Sequence, residues 1–156
     1  MSKIIHNTDK YFSFHDSPIT KCYFENGKLN FEFEYVSCWL NNQDVPAVYT
    51  SEGNPKLIIE LESMISWTNW EKQIDYTKNF ELHLQEIVGI EFLSFKQFDD
   101  LGKIILVGED VEFTFKQFEI IVIPSNLYFY RNLYKDEIQK IQLEKMPKTN
   151  LQVNWS

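Results

Sequence analysis

The chain has 156 residues, of which 44% are hydrophobic, 16% aromatic and 24% charged. A chain of this length usually forms one domain, and folding buries about 68–70% of the surface that the unfolded chain exposes. We therefore expect a single domain over residues 1-156 with its own packed core, and the composition excludes a disordered chain.

The formal net charge is −8, and it is uneven along the chain. Residues 1–50 carry four Lys and Arg against six Asp and Glu, residues 51–129 carry six against fourteen, and residues 130–156 carry five against three. An acidic surface repels phosphate backbones and anionic membranes and attracts basic molecules. We therefore expect a basic protein partner, and neither nucleic acid nor membrane.

Neither secretion nor membrane insertion is expected. The sequence is already polar at His6, without the apolar segment of a secretion signal. Its longest aliphatic runs, residues 104–107 and 120–123, are far shorter than the roughly 20 residues of a membrane helix. We predict a cytoplasmic protein, in which Cys22 and Cys38 are small buried hydrophobic residues and not a disulfide.

The first strong structural signal along the chain is a β-hairpin at Asn26-Gly27, because both residues accept the positive φ angles of a tight hairpin turn. Pairing outward from this turn puts apolar residues on one face and opposite charges on the other. The register is therefore predicted as well, since a slip of one residue would exchange the two faces. The expected pairs include Phe24 with Leu29, Cys22 with Phe31, Thr20 with Phe33 and Glu25 with Lys28.

Alternation with period two predicts more strands, at residues 57–67, 88–92, 103–107, 111–115 and 119–123. In the first of these, one side should be apolar and buried, and Glu60 and Glu62 should lie on the other side. The apolar side is predicted to contain Leu57, Ile59, Leu61, Ile65 and Trp67.

Helical signals are fewer. The best one covers residues 133–145, with Asn132 as N-cap and Pro147 after its end. Residues 70–78 could form a shorter helix. The pattern as a whole predicts an α+β, predominantly antiparallel β domain of about seven to nine strands, folded as a bent sheet or sandwich with a C-terminal helix.

No stretch has the pattern of a catalytic site. His15-Asp16-Ser17 contains the residue types of a hydrolytic triad, but neighbouring side chains in an extended segment point in opposite directions. A turn before Pro18 is the better interpretation. The five glycines form no phosphate-binding loop. We therefore predict no catalytic residue and no cofactor, and we do not expect an enzyme.

A metal site is not expected either. The chain has three histidines and lacks the CxxC, HxH and HExxH spacings of metal ligands. His83 lies between Leu82 and Leu84, on the polar side of an apparent alternation, so a surface position is predicted for it.

The unusual feature of the sequence is a combination of acidic strands with aromatic residues at strand ends and in loops. Trp and Tyr are enriched in protein interfaces, although most tryptophans are buried and acidic strand faces are often merely solvated. The candidate contacts for a basic partner are Glu32, Glu34, Glu60, Glu62, Glu112, Trp39, Trp67 and Trp70.

The segment Phe14-His15-Asp16-Ser17-Pro18-Ile19, followed by the Asn26-Gly27 hairpin and Phe31-Glu32-Phe33, resembles the start of several small bacterial β-rich families. Some of these are uncharacterised, and others are immunity proteins of polymorphic toxin systems. The resemblance covers about the first quarter of the chain. It implies a cytoplasmic inhibitor that binds a toxin through acidic residues, and it assigns no role to any particular residue.

Two alternatives from other functional classes stay open. One is a small-ligand-binding β-barrel, or a small enzyme, with an aromatic-lined pocket near His15 or His83. The other is a structural role as a homodimer, in which an exposed strand edge pairs with a second copy.

Overall fold

The computed structural model describes residues 4–6, 12–42, 45–52, 54–122, 126–128 and 148–149, and the side chains of residues 14–36 and 54–122. The strands are β1 (Ile4–His6), β2 (Phe12–Ser13), β3 (Ser17–Glu25), β4 (Lys28–Phe33), β5 (Tyr35–Asn42), β6 (Val45–Glu52), β7 (Lys56–Asn69), β8 (Ile74–Asp75), β9 (Glu91–Phe98), β10 (Leu101–Leu106), β11 (Glu109–Val122), β12 (Asn126–Tyr128) and β13 (Lys148–Thr149). A 3₁₀ turn (Thr77–Asn79), the helix α1 (Phe80–His83) and a second 3₁₀ turn (Leu84–Ile87) separate β8 from β9.

This architecture confirms the prediction of a predominantly antiparallel, bent β-sheet. The described helix lies in the middle of the chain, and the C-terminal helix predicted at 133–145 lies outside the described residues. Among the described residues, no helix is long and apolar enough to cross a membrane.

The larger sheet closes on itself. Its strand order is β1-β11-β10-β9-β3-β4-β7-β8, and β11 also pairs with β7. Six strands therefore form a closed circuit, in which β3 and β9 are joined by the pairs Ser17–Phe92 and Pro18–Glu91. The smaller sheet has the order β12-β6-β5-β13, with β2 beside β5.

The hairpin between β3 and β4 has the predicted turn and most of the predicted register. Asn26 and Gly27 have φ angles of 53° and 75°, and Glu25, Phe24 and Cys22 lie opposite Lys28, Leu29 and Phe31. At the end of the hairpin away from the turn, the prediction was wrong. A register shift there places Ile19, and not Thr20, opposite Phe33. Cys22 is free and buried, and this burial raises the pKa of its thiol.

The two longest strands, β7 and β11, pair along their whole length with three register shifts. These shifts leave Ile65, Glu62 and Lys116 without an opposite residue, as in β-bulges, which bend a strand and change which side chains face inward. The prediction that Ile65 shares the buried side was therefore wrong. Ile65 is 47% exposed, and Met64 packs against the core in its place.

The strand predicted at 88–92 begins only at Glu91. The strands predicted at 111–115 and 119–123 are parts of one strand, β11, which ends at Val122, and residue 123 lies outside the described residues. The prediction of a helix at 70–78 was wrong. Here Lys72 N donates to Asn69 Oδ1 over 2.8 Å, and Gln73 has a φ of 56°. Local bonds from side chain to backbone compete with the helix, and they form a turn before β8.

Large side chains fill the interior of the closed sheet. The rings of Phe33 and Phe92 are 5.1 Å apart, and that of Phe14 lies 5.2 Å from each. Close packing of this kind is typical of a protein core. The largest fully buried side chains are Trp67, Phe31, Phe33, Phe92, Phe113, Ile19, Leu29, Leu57, Ile59 and Ile87.

Gly102 is required where β10 lies against the Phe113 ring. A Cβ atom on Gly102 would lie only 2.4 Å from Phe113 Cε2, and Phe113 is fully buried. Since overpacking a core costs about 1–3 kcal/mol, we expect Gly102→Ala to lower the free energy of unfolding by that amount, measured in urea. The double variant Gly102→Ala/Phe113→Leu should show a favourable coupling between the two sites. Additive losses would contradict this packing.

Candidate functional site

Residues 70–90, which we call the cap, connect β7 to β9 and pack where β7 ends and β11 begins. Their backbone is tied to the sheet by hydrogen bonds from Trp70 N to Gly108 O, Tyr76 N to Trp67 O and Gly89 N to Ile19 O, at 2.7–3.1 Å. The cap is therefore held at three separate points.

Apolar side chains fix the inner side of the cap. Leu84 and Ile87 are buried in the same core as the sheet, and Phe80 packs against that core. The Phe80 ring lies parallel to the Trp67 ring at 6.2 Å and meets Phe24 edge to face at 5.5 Å. These contacts align the short helix α1, which is too short to be stable alone.

A buried carboxylate lies beneath the cap. Glu109, the first residue of β11, is 2% exposed. Its Oε1 accepts a hydrogen bond from Trp67 Nε1 (2.7 Å) and faces His83 Nε2 (2.6 Å), and its Oε2 accepts one from Asn69 Nδ2 (3.3 Å). A buried charge is very costly unless such partners satisfy it. The Glu109 carboxylate therefore constrains all three neighbours.

His83 joins this carboxylate to the surface. Its Nδ1 lies 2.9 Å from Glu86 Oε2, so both ring nitrogens face carboxylate oxygens, and both can donate only when the ring is doubly protonated. The Tyr76 ring stacks on the His83 ring with centroids 3.5 Å apart. Burial, followed by the charges of Glu86 and Glu109, raises the pKa of Tyr76.

The surface position predicted for His83 was wrong, because the residue is only 4% exposed. It belongs to a helical turn and not to an alternating strand, and this turn directs its ring inward. The sequence analysis also missed Glu109. Period two along β11 places Glu109 on the same side as the buried Val111 and Phe113, and this was the available signal.

This network does not have the form of an open catalytic site. His83 and Glu109 are both enclosed, and their contacts are with one another and with Trp67, Asn69, Tyr76 and Glu86. Within the described part of the chain, no group of three His, Cys, Asp or Glu residues could hold a metal ion. The arrangement instead attaches the cap to the ends of β7 and β11.

The outer surface of the cap combines apolar and acidic side chains. Leu82 is 81% exposed and Trp70 is 58% exposed, and Ile74 and Val88 are exposed as well. All four belong to the cap, and a large exposed apolar side chain is a candidate contact for a partner. The exposed charged residues of the cap are Glu71, Asp75, Glu81 and Glu86, against Lys72 and Lys78.

Asp75 helps to shape this surface locally. Its carboxylate accepts hydrogen bonds from the hydroxyl and the backbone N–H of Thr77, and these bonds lower the pKa of Asp75. Because the bonds favour the charged form, Asp75 is an anion at neutral pH.

Among the predicted partner contacts whose side chains are described, the structure does not form one exposed patch. Trp67 is fully buried, so its prediction as a surface contact was wrong, because its indole packs beneath the cap. Trp70 is exposed in the cap, and the Trp39 side chain lies outside the described residues.

Three of the five predicted glutamates face lysines on neighbouring strands. Glu32 lies opposite Lys21 and Lys56 and is largely buried, Glu60 lies opposite Lys28, and Glu112 lies opposite Lys103. Cross-strand lysines offset the negative field of these strands. The remaining two, Glu34 and Glu62, are exposed at different places in the fold.

Comparisons of this chain with protein-family models, with curated proteins and with solved structures found no match. The class that the structure itself defines is a closed antiparallel sheet with a filled interior and a cap attached by a buried carboxylate.

The Glu109 network predicts a difference between two conservative substitutions. We expect Glu109→Gln to lower the free energy of unfolding by about 1–3 kcal/mol, because an amide has only one oxygen to accept hydrogen bonds from the buried donors around it. The matched control is Glu86→Gln, which changes the exposed partner of the same histidine and should cost less than about 1 kcal/mol. Urea unfolding followed by tryptophan fluorescence measures both. Equal losses would contradict the role of Glu109.

Proposed function

We propose that the protein is a cytoplasmic binding module, of the kind of an immunity-type inhibitor, and that its cap binds a basic protein partner. The observation that carries this proposal is Leu82, a large apolar side chain that is 81% exposed on a helix whose other side is buried. Exposing a leucine to this extent stabilises nothing in the isolated chain, whereas an apolar anchor contributes strongly to an interface.

The charges around Leu82 favour a cationic partner. Glu81 precedes it, and Glu86 follows one helical turn later with its side chain 67% exposed. Opposite charges across an interface accelerate association and select the partner, whereas the desolvated apolar contact supplies most of the affinity. The expected partner surface is an apolar depression with Lys or Arg at its rim.

The network beneath the cap supports this proposal by making the surface rigid. His83, directly after Leu82, is held between Glu109 and Glu86 and stacked against Tyr76. Fixing Leu82 before binding reduces the conformational entropy that association would cost. A binding surface on a rigid support is what a stoichiometric inhibitor requires.

The large buried side chains inside the closed sheet, among the described residues, favour binding on the outside over the alternative of an internal ligand. The two histidines of that alternative do not line an aromatic pocket. His83 is enclosed in the network, and His15 is exposed, with its Nε2 3.2 Å from the Asp16 carboxylate.

The proposal predicts that cap substitutions weaken binding while matched substitutions elsewhere do not. We expect Leu82→Ser to raise the Kd by about 30-fold, the effect of losing a central anchor of roughly 2 kcal/mol. Ile65→Ser also removes an exposed aliphatic side chain, but from the β7 bulge, and should leave the Kd unchanged. Glu81→Lys should raise the Kd and make the Kd less dependent on salt concentration than in the wild type. Glu62→Lys should change neither quantity appreciably.

The measurement begins with affinity capture from a native lysate at low salt, with elution by a salt gradient and identification by mass spectrometry. The Kd is then measured by calorimetry with the purified partner and each of the four variants. A basic partner that loses affinity only with the two cap variants would support the proposal. An acidic partner, or equal effects of cap and control variants, would refute it.

A further inference from the structure

A groove with a volume of about 470 Å³ lies on the outer face of the closed sheet, where β7, β11, β10 and β9 run side by side. We call it the outer groove. It is separate from the filled interior and from the cap network. Its outward-facing lining residues are Ser66, Thr68, Ser94, Lys96, Phe98, Lys103, Ile105, Asp110 and Glu112.

The strand register arranges the charges of the outer groove by sign. Asp110 and Glu112 both lie on β11, Lys103 lies on β10, and Lys96 lies on β9. Neighbouring strands are about 4.8 Å apart, so the acidic strand and the outer lysine strand are separated by about 10 Å. Negative charge therefore lies on one side of the groove and positive charge on the other.

No direct ion pair joins the acidic and basic side chains of the outer groove, all four of which the structure describes. Within the described part of the chain, none of the four side chains forms an ion pair, although Lys103 lies directly opposite Glu112. The Lys103 ammonium instead lies 5.9 Å from the centroid of the Phe98 ring. Lys103 also faces Lys96 directly across the strands, and like charges in that position destabilise a sheet.

We propose that the outer groove binds a short zwitterionic peptide of about three residues. Three extended residues span about 10 Å, which matches the separation of the two charged sides. The free amino terminus lies over Asp110 and Glu112, and the free carboxylate over Lys96 and Lys103. A central apolar side chain rests on Ile105, which lies on β10 opposite Asp110 and is exposed on this face. The carboxylate of the peptide relieves the repulsion between the two lysines.

The acidic side of the outer groove determines the class of ligand. Two neighbouring lysines alone would suit phosphate, but Asp110 and Glu112 repel a ligand that carries only negative charge. A purely cationic ligand would in turn be repelled by the lysines. A ligand with one charge of each sign at its two ends fits both sides.

The test uses the full chain and the tripeptide Ala-Leu-Ala as probe, followed by two-dimensional amide NMR. We expect saturable shifts at residues 66–68, 94–98, 103–105 and 110–112. Acetylation of the amino terminus and amidation of the carboxyl terminus should each weaken binding by about 2–5-fold, the effect of one exposed charge pair.

Single substitutions in the groove show which charged side binds each end of the peptide. With Asp110→Asn the effect of acetylation should shrink while that of amidation remains, and with Lys96→Gln the reverse should hold. Lys116→Gln removes a lysine of β11 outside the groove and should change neither effect. The proposal is overturned by absence of groove shifts, by equal affinity of capped and free peptides, or by equal binding of inorganic phosphate alone. None of these outcomes bears on the cap, which every variant leaves intact.

Discussion

The arrangement of the sheet end beneath the cap depends on one buried carboxyl group, whose oxygens need hydrogen-bond donors. The buried oxygens of Glu109 need hydrogen-bond donors, and these donors come from β7 and from the cap. Trp67 and Asn69 thereby hold the end of β7 beside the start of β11. His83 holds the cap in turn, and the position of Leu82 follows from that of its neighbour. A single buried side chain thus connects the core to the surface proposed to bind a partner.

The bulges in β7 and β11 are the second constraint, because they let two long strands bend enough to take part in a closed circuit. Each bulge also changes which residues face outward. Ile65 is moved to the surface, and the next inward position is taken by Trp67, where it can donate to Glu109. The shape of the sheet and the composition of the buried network are therefore consequences of the same irregularities.

Charge has different roles on the strand faces and on the cap. On the strands whose side chains are described, lysines lie opposite glutamates such as Glu32 and Glu60 and offset part of the negative charge. On the cap, four exposed carboxylates accompany two lysines and several exposed apolar side chains. The outer groove is a third case, with both signs present but unpaired. Net charge alone did not distinguish these cases, because each depends on which strands are neighbours.

The sequence by itself determined the local features of this protein: its antiparallel β character, the Asn26-Gly27 turn and the register beside that turn. These depend on period-two alternation and on backbone preferences within a few residues. Only the tertiary structure decided that Trp67 and His83 are buried, that Ile65 is exposed and that the sheet closes. His83 and Glu109 are 26 residues apart, and no local pattern reports such a contact. Bulges also made the predicted strand faces less accurate, because each bulge shifts the inward–outward alternation from which the faces are assigned.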